Sequence, residues 1–191
     1  MKRSAAEIIR EYGPYPGIDR VNGVTFDGRH LFQIAEDRIQ KIDPESGRVL
    51  ATIPAPGGGG NSGLAWAEGT PWVGQYGDRK IYQIDPQTGA ILRTIKSDRF
   101  VTGVTWVDGE LWHGTREGDE SDLRRVDPRT GEVLESLEMP PGVEVSGLES
   151  DGGKQFFCGG GRSGRVRTVR RPKRSSATDC GSKGPVDSAS N

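Results

Sequence analysis

The sequence contains one short motif four times, and this repeat constrains the fold more than any other feature. The copies are GVTFDGRHLF from Gly23, GLAWAEGTPWV from Gly63, GVTWVDGELWH from Gly103 and GLESDGGKQFFC from Gly147. Their first glycines are 40, 40 and 44 residues apart. A period in the low forties with strand-like patterning is typical of propeller blades. The repeat therefore predicts an all-β fold, a β-propeller.

Each copy divides into strands separated by turns. The second strand carries one large aromatic residue in every copy, at Phe32, Trp72, Trp112 and Phe157. In the first three copies an Asp-Pro turn follows the third strand, and its aspartates are Asp43, Asp85 and Asp127. An aspartate that starts a Pro/Gly turn caps backbone N–H groups. We therefore interpret these aspartates as turn residues and not as a catalytic or metal-binding set.

The fourth copy stops after its third strand, and the N-terminal segment offers the missing outer strand. Ile8 precedes Gly23 by 15 residues, much as Val49 precedes Gly63 by 14. Because an open sheet edge promotes aggregation, a ring of blades needs closure. We expect Ile8 and Ile9 to lie alongside Val166 and Val169.

The predicted architecture is thus a propeller of four blades with four antiparallel strands each, closed by the N-terminal strand. It spans residues 5–172, and residues 175–191 form a polar tail that we expect to be disordered. Two alternatives stay open: a piece of a longer propeller, or two chains that assemble into one larger ring. The sequence favours a monomer, with a dimeric ring as the alternative.

Composition excludes some classes of function. The net charge of −1 gives no field that would attract nucleic acid or a membrane surface. Basic residues between Arg162 and Arg174 are interpreted as an exposed strand face, so no specific nucleic-acid binding is expected. Cys158 and Cys180 cannot form a disulfide framework. With no apolar run of spanning length, we expect a cytoplasmic protein without a membrane partner.

Small polar residues precede the leading glycine of every copy. They occupy one equivalent place on the innermost strand, where they should form a ring at the mouth of the central channel: Asn22, Ser62, Thr102 and Ser146. Such a ring predicts either a ligand site or a water-filled channel lining.

Other candidates are residues that depart from the repeat. Glu149 stands where the other copies have Thr25, Ala65 and Thr105, and desolvation there would suit a general acid or base. The alternative is pairing with an arginine. His113 opens a long loop whose Arg116 and Glu117 could contribute charge to a ligand site.

Two further expectations concern that loop and the tryptophans. One histidine with loop acids matches no established metal pattern, so no metal and no cofactor are expected. Trp106 and Trp112 are interpreted first as packing between blades, and second as a stacking wall for a ligand.

The repeat GVTWVDGELWH followed by RRVDPRTGEVLESL resembles the glutamine cyclotransferase family, β-propeller enzymes that convert an N-terminal glutamine into pyroglutamate. A looser likeness extends to streptogramin-lyase-type propellers. The resemblance implies the propeller fold. It carries the activity less well, because this chain has Thr102-Gly103-Val104-Thr105 where such cyclases typically have Asn-Glu-Leu-Glu.

Three hypotheses about function follow. The first is a propeller that binds a small molecule or peptide at one end of its channel. The second is a cyclotransferase-like enzyme with Glu149 as proton shuttle. The third is a protein-interaction platform.

Overall fold

A computed structural model describes residues 7–19, 21–35, 37–58 and 60–173 of the chain. These residues form four antiparallel sheets arranged as the blades of a β-propeller, so the predicted fold class and blade number are confirmed. Within the described part, no helix has the length and apolar character needed to cross a bilayer. The predicted domain limits at residue 5 and the tail at 175–191 lie outside the described residues.

The first three blades each contain four strands that pair in sequence order. Blade 1 comprises β1 (Val21–Phe26), β2 (Leu31–Ala35), β3 (Arg38–Ile42) and β4 (Val49–Pro54). Blade 2 comprises β5 (Asn61–Ala67), β6 (Thr70–Gln75), β7 (Lys80–Ile84) and β8 (Ile91–Lys96). Blade 3 comprises β9 (Phe100–Val107), β10 (Glu110–Glu117), β11 (Glu120–Val126) and β12 (Val133–Glu138).

Blade 4 has three strands among the described residues. They are β13 (Gly147–Ser150), β14 (Gln155–Gly159) and β15 (Val166–Arg170), with a short 3-10 helix (Gly161–Ser163) between the last two.

Local turn chemistry explains why the strands begin and end where they do. Between β5 and β6, Glu68 and Gly69 both have positive φ angles of 51° and 76°, which is the geometry of a tight hairpin turn. In the Asp-Pro turn after β7, Asp85 Oδ1 accepts hydrogen bonds from the backbone N–H groups of Gln87 and Thr88, each at 2.8 Å. The turn-capping interpretation of this aspartate is therefore confirmed.

The hydrophobic core lies between neighbouring blades. The junction of blades 1 and 2 buries Phe32, Ile34, Ile39, Ile53, Leu64, Val73, Tyr82 and Ile84. The next junction buries Ala65, Ala67, Trp72, Ile81, Ile95, Val101, Val104, Leu111 and Val126. The third buries Val107, Trp112, Leu123, Val145, Leu148, Phe156 and Cys158. Because burial of a large apolar side chain stabilises a fold by about 2 kcal/mol, these junctions hold the blades together.

The predicted closing strand is not present, and this part of the expectation is corrected. Residues 7–15 adopt no strand, and the side chains of Ile8 and Ile9 are 75% and 92% exposed. The segment lies on blade 1 instead, where the Tyr12 and Tyr15 hydroxyls donate to the carbonyls of Pro44 (2.7 Å) and Gly47 (3.0 Å). Two specific hydrogen bonds thus hold the segment on blade 1 and not beside β15 of blade 4, the predicted place.

The four blades consequently form an arc with two free ends. Inner strand β5 packs against β1 and β9, and β9 against β13, but no comparable packing joins β13 to β1 among the described residues. After β15 the chain turns back towards blade 3, where Arg171 contacts Glu110.

Candidate functional site

The residues before the four leading glycines meet at one cavity. This cavity, the hub cavity, has a volume of about 560 Å³, and its lining includes Asn22, Ser62, Thr102 and Ser146. Each lies at the start of an innermost strand or directly before it, and the repeat places these positions side by side around the axis. The predicted polar ring is therefore present as a geometric feature, while a ligand role for it stays a prediction.

Two hydroxyl groups of this ring have no hydrogen-bond partner in the described part of the chain. They are Ser62 Oγ and Thr102 Oγ1, and both atoms are buried from solvent. Leaving a buried polar group without a partner costs about 1–3 kcal/mol. By contrast, Ser146 Oγ accepts a hydrogen bond from the backbone N–H of Gly161 at 2.9 Å. Among the described residues, the hydrogen-bonding capacity of Ser62 and Thr102 is therefore unused.

Charged side chains surround the same cavity. Arg116 Nη2 lies 2.9 Å from Glu144 Oε1, and both side chains are partly exposed. Arg162, which is exposed, lines the cavity as well. Two guanidinium groups and one carboxylate give the lining an excess of positive charge, which favours an anionic or carboxylate-bearing ligand.

An aromatic ring completes one wall. Tyr76 lines the cavity and stacks on Phe100 with ring centroids 4.6 Å apart and planes 9° apart. The Arg79 guanidinium lies 4.2 Å from the centre of the Phe100 ring on the same wall. Tyr76 is 38% exposed, so part of its ring is available for contact with a ligand.

Sequence reasoning missed Tyr76, Glu144 and Arg162. For Tyr76 the repeat contained a signal. Tyr76 comes two residues after Gly74, and Arg116 comes two residues after Gly114, the aligned glycine of the next copy. The two residues therefore occupy equivalent positions in blades 2 and 3. Glu144 belongs to the connection before β13, whose length differs from the other connections. No repeat-based alignment would have selected it.

His113 does not line the cavity. Its side chain is 1% exposed, and Nδ1 lies 3.3 Å from the carbonyl oxygen of Gly114. Burial lowers the pKa of His113 to about 4, although the hydrogen bond to Gly114 acts in the opposite direction. The imidazole is thus neutral at pH 7 and lies among the side chains between blades.

Glu117 also lies apart from the lining residues, although it belongs to the same strand as Arg116. Its Oε2 atom lies 3.1 Å from Arg79 Nη2, and the two side chains are 44% and 35% exposed. This ion pair joins blades 2 and 3 at their rim.

The two candidate tryptophans pack between blades. Trp106 stacks on Trp72 with centroids 5.9 Å apart, and Trp112 lies tilted against Phe156 at 4.9 Å. The indole N–H of Trp112 donates to Glu110 Oε2 at 3.1 Å. Neither ring lines the hub cavity, so the structure favours the packing interpretation over the stacking wall.

Glu149 is exposed, which corrects the expectation that its carboxylate is desolvated. Its Oε1 atom accepts hydrogen bonds from Thr105 Oγ1 and from the backbone N–H of Ser150, both at 2.9 Å. Thr105 belongs to blade 3, and Glu149 is not among the cavity-lining residues.

The lining set is better suited to binding than to a defined catalytic step. Among the described residues that line the cavity, Glu144 has the sole carboxylate, and this carboxylate forms an ion pair with Arg116. Among the described residues, no group of three His, Cys, Asp or Glu side chains is placed to hold a metal ion.

Comparison with known proteins establishes the fold. No protein-family model matches the sequence, and no curated protein matches it significantly. Among solved structures, U3-55K is 23% identical with a TM-score of 0.59 over 81% of this chain and 50% of that one. The WD40 β-propeller domain of Doa1 is 16% identical with a TM-score of 0.61 over 81% of this chain and 51% of that domain.

A third structure is the Myxococcus xanthus glutaminyl cyclase, which is 16% identical with a TM-score of 0.61. The match covers 80% of this chain and 74% of the cyclase. By contrast, the chain spans only about half the length of U3-55K and of the Doa1 domain. At these identities the likenesses show the β-propeller fold, and they leave the resemblance to the cyclotransferase family as a resemblance.

Proposed function

We propose that the chain binds a small polar molecule or a peptide, with a carboxylate or another anionic group, in the hub cavity. The observation that carries the proposal is the pair of buried, unpartnered hydroxyls of Ser62 and Thr102 in one cavity. Its volume of about 560 Å³ lies within the range of small-molecule sites, roughly 300–1,000 Å³. A side-chain rotation towards the cavity would let either hydroxyl donate to a ligand oxygen.

The charged residues define where the anionic group would lie. Arg116 presents a guanidinium that Glu144 holds in position at 2.9 Å, and Arg162 adds a second cation on the neighbouring blade 4. Guanidinium groups bind carboxylates through paired N–H donors, with more energy than neutral hydrogen bonds. The face of Tyr76 would cover an apolar or planar part of the ligand.

The experiment is a thermal-shift screen of carboxylate-bearing metabolites and short peptides, followed by calorimetry on the compounds that bind. Thr102→Val removes one hydroxyl at nearly constant volume, and we expect affinity to fall roughly two- to tenfold. Arg116→Met should weaken binding about tenfold or more, since it removes a charged donor. Thr94→Val is the matched control, because Thr94 is exposed on outer strand β8.

The proposal fails if no compound binds, or if Thr102→Val and Arg116→Met bind as tightly as Thr94→Val. Stable co-purification of a protein partner, without any small-molecule shift, would instead support the interaction-platform hypothesis.

Cyclisation of an N-terminal glutamine is the second candidate function. The observation that favours it is a carboxylate, Glu144, inside the cavity, where it could exchange a proton with a bound glutaminyl peptide. Incubation of such peptides and mass spectrometry for loss of ammonia tests it. Turnover that Glu144→Gln abolishes and Glu149→Gln preserves would support Glu144. Unchanged peptides would exclude the activity.

A further inference from the structure

The three junctions between blades share one backbone contact. In each, the leading glycine of one blade lies against the backbone of the next inner strand. A Cβ atom added to Gly23 would lie 3.2 Å from Leu64 N, one on Gly63 would lie 2.7 Å from Val104 N, and one on Gly103 would lie 2.5 Å from Leu148 N. Real Cβ atoms essentially never approach backbone atoms as closely as the last two distances, so Gly63 and Gly103 require glycine, and at Gly23 a side chain would be unusually crowded.

Gly147 occupies the same position in blade 4, yet no described residue requires a glycine there. A Cβ atom on Gly147 would meet no other described atom within 4 Å, and its φ lies outside the left-handed region. In the other three blades the equivalent glycine contacts the innermost strand of the next blade. We therefore expect the missing neighbour of Gly147 to be such an innermost strand.

Aromatic pairs mark the same junctions. Phe32 of blade 1 stacks on Trp66 of blade 2 at 4.7 Å, and Trp72 stacks on Trp106 in the same way at 5.9 Å. At the third junction, where Ser150 replaces the second tryptophan, Trp112 packs against Phe156.

The two residues that would form a fourth pair are both exposed. Phe157 is the counterpart of Phe32, Trp72 and Trp112, and it is 40% exposed. Phe26 is the counterpart of Trp66 and Trp106, and it is 54% exposed.

Blade 4 has one covered and one free face. Along β14 and β15 burial alternates, with Phe156 and Cys158 buried against blade 3 and Phe157 and Val166 exposed on the other side. Leu123, the counterpart of Val166 in blade 3, is fully buried because blade 4 covers it. The free face therefore has the composition of a junction without its second blade.

Blade 1 presents the complementary half. Val24 is 56% exposed, whereas its counterparts Leu64, Val104 and Leu148 are 3%, 2% and 8% exposed. Those counterparts are covered by the preceding blade, and β1 has no preceding blade among the described residues. Val24 and Phe26 point to the same side of β1, because side chains two residues apart share a face of a strand.

We propose that a second copy of this chain closes the ring, with blade 4 of each copy packed against blade 1 of the other. Phe157 and Val166 of one copy would then cover Phe26 and Val24 of its partner. Gly147 would lie against the backbone of the partner's β1. Two identical head-to-tail junctions close a symmetric dimer, so neither free face stays exposed.

The length of the chain is compatible with this occupant. The match covers about half of the Doa1 propeller domain, so two chains contain about as many blade residues as that one domain. Glu149 of β13 already accepts two hydrogen bonds from its own chain, one of them from Thr105 of blade 3, so its carboxylate has donors without a partner. The proposal does not depend on a ligand in the hub cavity.

Light scattering coupled to gel filtration tests the proposal directly. We expect a mass of about twice the 20.7 kDa of one chain at micromolar concentration. Gly147→Ala should convert the dimer to a monomer with unchanged circular dichroism, because the added methyl group meets only the partner. Gly153→Ala in the hairpin of the same blade is the control, and it should remain a dimer. A monomeric wild-type chain, or a dimer that survives Gly147→Ala, overturns the proposal.

Cross-linking distinguishes closure by a partner from closure within one chain. A variant with Phe26→Cys, Phe157→Cys and Cys180→Ser is treated with a short bismaleimide reagent. Two-chain products are expected, and the single variants should give none. A product of single-chain mass with a linked Cys pair, shown by peptide mapping, would overturn the assignment to a second copy.

Discussion

Arg171 Nη2 donates to Glu110 Oε2 at 2.7 Å, and this buried pair joins the end of blade 4 to the start of β10 in blade 3. The two side chains are only 5% and 7% exposed. Arg171 Nη1 also donates to Asp108 Oδ2 at 2.6 Å and to the carbonyl oxygen of Gly153 at 3.0 Å. The described chain therefore ends against the preceding blade.

Replacing Arg171 should destabilise the fold. Burial acts to raise the pKa of Glu110, but the hydrogen bonds from Arg171 and Trp112 outweigh it and hold this pKa below its usual value. Arg171→Met removes the donor and leaves the carboxylate buried, with Arg125 3.2 Å away as a remaining cation. We expect a loss of about 3 kcal/mol in the free energy of unfolding, measured by urea denaturation.

Arg170→Met is the control for that experiment, because the Arg170 side chain is exposed. Its unfolding midpoint should stay within experimental error of the wild type. Equal midpoints for Arg171→Met and Arg170→Met would show that the pair does not stabilise the fold.

His113 should make the protein sensitive to mild acid. Its pKa is about 4 in the folded chain and 6.5 in an exposed reference, because burial disfavours the charged form. Below pH 6.5 the unfolded chain binds a proton that the folded chain does not. Stability therefore falls as the pH drops from 6.5 towards 4, by up to about 3 kcal/mol for this group.

The matched variant is His113→Gln, since blade 1 has the buried Gln33 at the same place, where it donates to Gln40 at 2.7 Å. Urea unfolding at pH 7 and pH 5 should show a smaller loss of stability in the variant than in the wild type. Parallel losses in the two proteins would rule out His113 as the source.

Cys158 should resist alkylation in the folded protein. Its side chain is fully buried, and burial raises the pKa of the thiol to about 11 even though the charge of Arg167 acts to lower it. The thiolate is the reactive form, so both access and ionisation are suppressed at pH 8. Peptide mapping after iodoacetamide treatment should show an unmodified Cys158 peptide in buffer and a modified one in urea.

Comparable labelling of Cys158 with and without urea would mean that blade 4 opens readily from blade 3. In that case the third junction, and not the free ends of the arc, would be the weakest part of the propeller.

Much of the architecture could be predicted from the repeat alone. The number of blades, the order of strands within them and the capping by Asp85 depend on contacts within some forty residues, which recur in each copy. The meeting of Ser62 and Thr102 at the hub also followed, because equivalent positions in a repeat lie at equivalent places around one axis. Local patterning was sufficient for both.

The faces of individual side chains were harder to predict. His113 and Trp112 are adjacent in β10, and each was a candidate for the cavity, yet both are buried between blades. In an inner or second strand both faces are covered by neighbouring blades, so alternation carries no information about which residues reach a ligand. The inner strands supply part of the cavity lining, but Glu144 comes from a connection, and the connections differ in length between copies.

The sequence by itself determined four similar sheets and a polar ring at their common axis, because these follow from strand patterning and turn residues inside each repeat. Only the tertiary structure decided how the ends of the chain are used. Ile8 and Ile9 are apolar enough for a β-strand, but a strand also needs the edge of another strand to pair with. Tyr12 and Tyr15 instead hold this segment on blade 1. Phe26 and Phe157, at the two ends of the arc, are both exposed. Contacts between residues far apart in sequence therefore fixed what the repeat could not.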